Sequence, residues 1–451
     1  MRKGTIFFVL LVMTMTIMGC SKYLDKKSSN AITVPTTLED LQGLLDDADF
    51  VMNLNLTPSY GETSADDYFL LQATYDTRNF TEQQFYKWLP SDYFWENDWS
   101  KGYAPVYNAN YCLEMIQKIP KNSMNENVWN NVKGSALFYR AYNFLNLLWN
   151  YSKAYDAASA DTDLGIALRL GPDFNEPSVR ASVKASYERI IEDAKNSLNY
   201  LPDLPSHVYR PSKAAAYGLL SRAYLSMREY DSAMKYADLA LSIKNKLLDY
   251  NNISPSASFP FAPFNEEIIF FTEMNVLISL PTYTSAKIDT VLYASYATDD
   301  IRKQAYFELN SGYYRFKGSY AGSSRYFTGI ATDELYLIRA ECRARMGEKE
   351  QALEDLNTLL SKRWKAGTFV DLTASSPEEA LHLILTERRK ELIFRGLRWI
   401  DIKRLNLEGA AIVPKRIVSG VTYMLPPNSN YYALPLPTDI IRLSGMTQNP
   451  N

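Results

Sequence analysis

The sequence predicts a mainly α fold: an interrupted tetratricopeptide-like helical-repeat scaffold with a loop-rich, aromatic-rich insertion and few short strands. Three observations carry this. Residues 211–244 hold Tyr217, Leu220, Tyr224, Tyr230, Ala233, Ala237, Ala240 and Leu241, the spacing of two antiparallel helices that pack small residues under large ones. Residues 333–363 repeat the theme with Tyr336, Ala340, Ala344, Ala352, Leu356 and Leu360, and Gly347 supplies the turn between the helices. Between the two, residues 251–330 carry Pro255, Pro260, Pro263, Pro281 and a run of tyrosines with little helical period. A long, weakly regular stretch inside a compact body tends to carry function.

Taken in order, the chain opens with Arg2 and Lys3, an uncharged run to Met18, and then Gly19-Cys20. This is a signal-peptide pattern over residues 1–19, and its end is similar to a bacterial lipobox, which predicts lipidation of Cys20. Residues 20–37 are polar and read as a tether. A single domain is expected from 38 to 451, with repeats over about 103–245 and 333–405. Thr37 caps a short helix through Leu38, Leu41, Leu44 and Leu45. Residues 52–98 are irregular and rich in aromatics. Helices are expected over 103–119, ended by Pro120, and over 128–151 and 182–200. Trp99 stands where the first of these begins and reads as core. A short strand fits 267–271, and 406–451 reads as loop-rich.

The stretch 376–405 concentrates the most charge. Ser376, Pro377 and Glu379 give a capped helix start with a capping box, and Leu381, Ile384 and Leu385 give it a buried face. Glu387-Arg-Arg-Lys-Glu391 lies inside it, so at least one charge falls near the apolar side and needs a partner. Gly396 breaks the helix before Arg398, Trp399, Asp401, Lys403 and Arg404.

Composition excludes some functions. The net charge is −3, and removing Arg2 and Lys3 with the leader takes it to −5. There is no basic excess to hold a phosphate backbone, so nucleic acid is not an expected partner. Two histidines, His207 and His382, give little basis for a metal site, and no cofactor is called for. Cys112 and Cys342 could be buried thiols or one disulfide, with buried thiols preferred. The 33 Tyr, 20 Phe and 7 Trp exceed ordinary use and suit either a helical-repeat core or surfaces that stack on flat ligands.

Several blocks together resemble the SusD/RagB family of Bacteroidetes outer-membrane lipoproteins. They are Cys20-Ser-Lys-Tyr-Leu-Asp25, Tyr107-Asn-Ala-Asn110, Gly134 through Arg140-Ala-Tyr142, and Glu387 to Glu391 followed by Arg395-Gly-Leu-Arg-Trp399 and Asp401-Ile-Lys-Arg404. Tyr432-Ala-Leu-Pro-Leu-Pro437 and the terminal Gln-Asn-Pro complete the likeness, which spans nearly the whole mature chain. It implies a cell-surface, lipid-anchored binding protein of the outer membrane, not an enzyme. Such a protein would hold a nutrient, commonly an oligosaccharide, over a SusC-like TonB-dependent transporter and deliver it. The rival readings are a helical-repeat adaptor for peptide or protein, and a surface glycoside hydrolase.

Sugar binding needs flat apolar faces with amide or charged groups beside them. Residues 78–97 supply both, through Arg78, Trp88, Tyr93, Trp95 and Asn97, in the region where the family places part of its ligand site. A second contribution is expected from Tyr283, Tyr296, Tyr313, Tyr314 and Arg315 of the insertion. A hydrolase would instead need two carboxylates facing one bond. The acidic pairs Asp46-Asp47, Asp66-Asp67, Asp299-Asp300 and Glu378-Glu379 do not establish that, and Glu378 already suits a helix start. The charged 387–404 cluster reads as a set of paired struts that clamp the C-terminal helix and the Gly396 turn against the repeats.

Overall fold

The computed structural model describes residues 35–277 and 280–450. The leader, Cys20 and most of the tether lie outside the described residues.

Helix α1 (Leu38–Leu45) begins on the expected cap: Thr37 Oγ1 accepts from Asp40, whose carboxylate accepts in return from Thr37. The irregular region then forms α2 (Tyr60–Ser64), β1 (Tyr68–Phe69), α3 (Gln72–Asp76) and α4 (Phe80–Tyr86). Helix α5 (Asp98–Met115) starts five residues earlier than the periodicity predicts. The reason is Asn97, which makes a full capping box with Ser100 and draws Trp99 into the first turn. Helix α6 (Glu126–Tyr151) is buried all round over its last twenty residues or so, as a central helix must be. The pair β2 (Leu164–Ala167) and β3 (Arg180–Ser182) leads into α7 (Val183–Ser197).

The two strongest repeats form as helical hairpins, α8 (Lys213–Met227) with α9 (Tyr230–Ile243) and, after the insertion, α12 (Thr332–Arg345) with α13 (Lys349–Ser361). Gly347 takes φ +85° at the second turn, a conformation that costs other residues strain. Helices α5 to α9 and α12 pack as successive neighbours, and α14 (Pro377–Glu391) lies on α12. Cys112 and Cys342 are separate buried thiols.

Within the insertion, β4 (Ile268–Phe270) pairs with β8 (Ile330–Ala331), and β5 (Lys287–Ile288) reaches back to β1. Between them come α10 (Thr290–Ala294), α11 (Arg302–Tyr306) and an antiparallel hairpin of β6 (Phe307–Asn310) and β7 (Tyr313–Phe316). After α15 (Arg398–Asn406), the loop-rich region holds a second hairpin, β9 (Lys415–Val418) with β10 (Val421–Met424), and a short helix α16 (Thr438–Ser444).

The buried apolar residues form two cores, one under the helices and one under the insertion. The segment after α14 threads between them: Leu392 and Leu397 belong to the first, Ile393 and Phe394 to the second. Ser376 caps α14 as predicted, but the other arm of the expected box lands one residue early, Glu379 accepting from Ser375. The charges of 387–404 are struts with a wider reach than expected. Arg404 does clamp onto Glu341 of the repeats at 2.5 and 2.8 Å. Arg398, however, holds Asp66 at 2.6 Å and Arg389 holds Asp67 at 2.8 Å, while Glu387 and Glu391 hold Arg302 of the insertion. Gly396, at φ +75°, donates its N–H to buried Glu62 at 3.0 Å.

Candidate functional site

A large cleft lies along α5. It encloses about 790 Å³ between that helix, residues 167–178 and α16. One wall is set by hydrogen bonds between distant segments. The Tyr93 hydroxyl donates to Pro435 O at 2.5 Å, Thr438 N–H donates to Tyr93 O at 2.9 Å, and Thr438 Oγ1 donates to Asp92 at 2.8 Å. These fix the chain just before the Asn97 cap and leave the Trp95 side chain outside, 72% exposed, with its backbone N–H on Asp439.

The opposite wall is the turn-rich loop 171–178. Arg169 gathers it by donating to the carbonyls of Asp173 and Glu176, and Asn110 of α5 donates to Arg169 O at 2.8 Å. Asn110 is itself held by Arg140, which forks onto Asp193 at 2.7 and 2.8 Å, a strong planar pairing. At the loop's tip Phe174 is 80% exposed and stacks on Tyr107 with centroids 4.8 Å apart and planes 22° from parallel. Asn108, Asn175, Glu176 and Arg169 bring amide and charged groups to a lining that is otherwise mostly apolar. Flat exposed rings bordered by a few polar groups suit the C–H faces and hydroxyls of a sugar.

A second surface lies on the β6–β7 hairpin. Glu308 stands opposite Arg315, and Asn310 opposite Tyr313, so these four share one face. Tyr283 joins it: its hydroxyl donates to Glu308 at 2.6 Å and accepts from Arg315 at 2.8 Å. Tyr314 points to the other face. There it stacks on Tyr293 with centroids 3.7 Å apart and lines a separate hollow of about 440 Å³ with Asp300, Lys303 and Gln304.

The structure thus brings Tyr283, Tyr313 and Arg315 together, sends Tyr314 to their reverse side and puts Trp95 in the α5 cleft. Arg78 joins neither surface and bonds its own turn, Thr74 O and Thr77 Oγ1. Four expected ligand contacts are corrected. Trp88 is buried with its indole N–H on Ser64 O at 3.0 Å. Tyr93 is the buried strut just described, and Asn97 is a buried cap. Tyr296 is buried with its hydroxyl on Lys390 O at 2.7 Å. Each has its polar end satisfied inside the protein, which leaves nothing to offer a ligand. Sequence reading missed Phe174 and Arg169, and took Tyr107 only as part of a family block. The available cue was an aromatic inside the turn-forming run Gly171-Pro-Asp-Phe-Asn-Glu-Pro177.

The acidic pairs are largely spent as counter-ions. Asp46 holds Arg210, Asp66 holds Arg398, Asp67 holds Arg389, Asp299 holds Lys365 and Asp300 holds Arg302.

The fold and site define a class, a helical-repeat scaffold with aromatic-edged surface clefts, and comparison gives its family. Residues 22–225 match a family model described as starch-binding, associating with the outer membrane, and residues 296–451 match the SusD family model. The chain belongs to the SusD/RagB family. SusD-like protein P2 of Formosa agariphila is 24% identical over 422 residues, covering 78% of this chain and 79% of the relative. A SusD superfamily protein from Bacteroides thetaiotaomicron superposes with a TM-score of 0.74 at 21% identity, over 92% of this chain and all of the other. A SusD-like carbohydrate binding protein from Bacteroides vulgatus gives 0.69 at 20% identity, over 90% and 96%. These solved structures share the fold. Among the described residues no helix is long and apolar enough to cross a membrane.

Proposed function

We propose that the chain is a cell-surface lipoprotein of the outer membrane, anchored through Cys20, that binds an oligosaccharide and delivers it to a SusC-like TonB-dependent transporter without cleaving it. The observation that carries the reading is the α5 cleft, where Trp95, Tyr107 and Phe174 stand exposed around Arg169 and the asparagines. Exposed rings gathered around one cleft beside polar groups make a surface that a flat, hydroxylated ligand can cover. The family descriptions, starch-binding for the model and carbohydrate binding for the Bacteroides vulgatus structure, support the same ligand class. The lipobox-like leader and the family membership support the location and the transporter partner.

The test is calorimetric titration of the lipid-free mature chain against a panel of oligosaccharides, with chromatography of the sugars afterwards. Binding with the sugars intact is expected, and appearance of shorter products would overturn the non-enzymatic reading. Purification of the tagged lipoprotein from native outer membrane in mild detergent is expected to bring a TonB-dependent barrel with it; its absence would remove the delivery step.

A further inference from the structure

The outer face of the β6–β7 hairpin carries more positive charge than its carboxylate can neutralise. Glu308 already takes Arg315 Nε at 2.8 Å as well as the Tyr283 hydroxyl. The Arg315 guanidinium lies 3.9 Å over the Tyr283 ring, and its Nη1 has no hydrogen-bond partner among the described residues. Lys287, on neighbouring β5, is almost wholly buried, and its ammonium meets Asn310 Oδ1. Lys317, just past β7, is equally buried and donates to the carbonyls of Pro255 and Ala257 at 2.9 and 2.7 Å. Among the described residues neither lysine has a carboxylate in ion-pair contact.

Of these three cations only Arg315 has a carboxylate in contact, Glu308, in a chain whose total charge is negative. The titration directions agree with that field. Burial, helped by Arg315, holds the Lys287 ammonium below its ordinary value. Glu308 is pushed up by burial but held below the usual range overall by Tyr283, Arg315 and Lys317. Covered cations without counter-ions are costly, and an arriving anion offsets that cost. Guanidinium matches the planar oxygens of a carboxylate or the oxygens of a sulfate. Beside it the Tyr313 ring is 39% exposed, edge-on to Phe69 at 5.1 Å, and gives a sugar ring a place to lie.

We propose that this face binds an acidic residue of the glycan, a uronate or a sulfate ester, with its anionic group on Arg315 Nη1 in the field of Lys287 and Lys317 and its ring against Tyr313. The inference rests on the glycan-binding reading above and narrows the substrate class.

The test titrates the lipid-free mature chain with three oligosaccharides of equal length, one bearing uronates, one bearing sulfate esters and one neutral, at about 50 and about 300 mM salt. At least one charged oligosaccharide is expected to bind more tightly than the neutral one, with affinity falling as salt rises, and the two charged arms tell carboxylate from sulfate. Arg315→Gln and Tyr313→Ala are each expected to weaken the charged ligand by about tenfold while leaving the neutral one unchanged. If Arg315→Gln lowers the thermal transition, Tyr313→Ala and the salt dependence decide. Neutral sugar bound as tightly as both charged ones, or charged-ligand affinity indifferent to salt and to both substitutions, overturns the inference and leaves glycan binding standing. If none of the three binds, the glycan reading fails as well.

Discussion

Arg302 Nη1 and Glu391 Oε2 meet at 2.8 Å with neither side chain exposed to water. The pair is the centre of a larger array: Arg302 also forks onto Asp300 at 2.7 and 2.9 Å and reaches Glu387 at 2.6 Å, while Glu391 takes Arg363 Nε at 2.7 Å. Arg302 comes from the insertion, Glu391 from the end of α14 and Arg363 from the end of the second repeat hairpin. The array therefore ties the two hydrophobic cores together at the point where residues 392–397 thread between them.

Arg302→Ala follows directly. It leaves Asp300, Glu387 and Glu391 buried with only Lys390, 2.6 Å from Glu387 and 3.6 Å from Asp300, and Arg363, 2.7 Å from Glu391, as remaining cations of the array. Removing one partner of a buried ion pair costs about 3–5 kcal/mol. Urea denaturation is the measurement, and a loss under about 1 kcal/mol, the scale of a surface pair, would show that the array is not a clamp.

Arg388→Ala separates stability from function. Arg388 Nε bonds Asp401 at 2.8 Å, and Asp401 also takes Arg404 at 2.8 Å. Both residues are buried and outside both candidate binding surfaces. The expected outcome is a loss of roughly 3 kcal/mol in unfolding free energy with unchanged oligosaccharide affinity in the protein that remains folded. Weakened binding at an unchanged thermal transition would instead put the charged helix in the site.

Asp98 makes the pH dependence testable. It accepts the backbone N–H groups of Ser59 and Tyr60, both at 2.6 Å, and a bond from Asn275. Burial raises its carboxyl to about 7, since those bonds only partly offset the loss of water. Its unfolded value is near 3.8, so between these limits the folded chain holds one more proton than the unfolded one. The stabilisation is complete below the unfolded value and is lost as pH rises through about 7, by at most about 1.4 kcal/mol per pH unit. Glu62 and Glu267, raised by burial to about 8 and about 7, act with the same sign. Asp98→Asn is expected to shallow the fall in stability between about pH 4 and 7; denaturation curves as steep as those of the parent would refute the assignment.

What the sequence showed depended on whether the cause was local. The two repeat hairpins, the Thr37 and Ser376 caps and the need of the 387–391 charges for partners could be read because helical period, capping and burial of charge act over a few residues. The partners themselves could not: Glu391 finds Arg302 and Arg363, and Arg398 finds Asp66 from far away in the chain. The same limit divides the site. Trp95 and Trp88 look alike in sequence, seven residues apart, yet Trp88 turns inward to Ser64 while residues 435–439 hold the backbone beside Trp95 and leave its ring outside. The stacking of Phe174 on Tyr107 depends on Arg169 closing a loop between them, which no short-range pattern announces.

Phe174 gives the sharpest test of the α5 cleft because it can be removed without touching the core. Its ring is 80% exposed and stacks on Tyr107. Truncation at an exposed loop position changes stability by only a few tenths of a kcal/mol, whereas loss of a stacking ring from a ligand surface costs about 1 kcal/mol or more. Phe174→Ala should therefore weaken oligosaccharide binding by about fivefold to tenfold at an unchanged melting temperature, and Trp95→Ala should do the same from the opposite wall. Arg169→Ala is expected to imitate Phe174→Ala, since releasing the carbonyls of Asp173 and Glu176 frees the loop that presents the ring. Unaltered affinity in both Phe174→Ala and Trp95→Ala would take the ligand away from this cleft and leave the hairpin face as the surface to test.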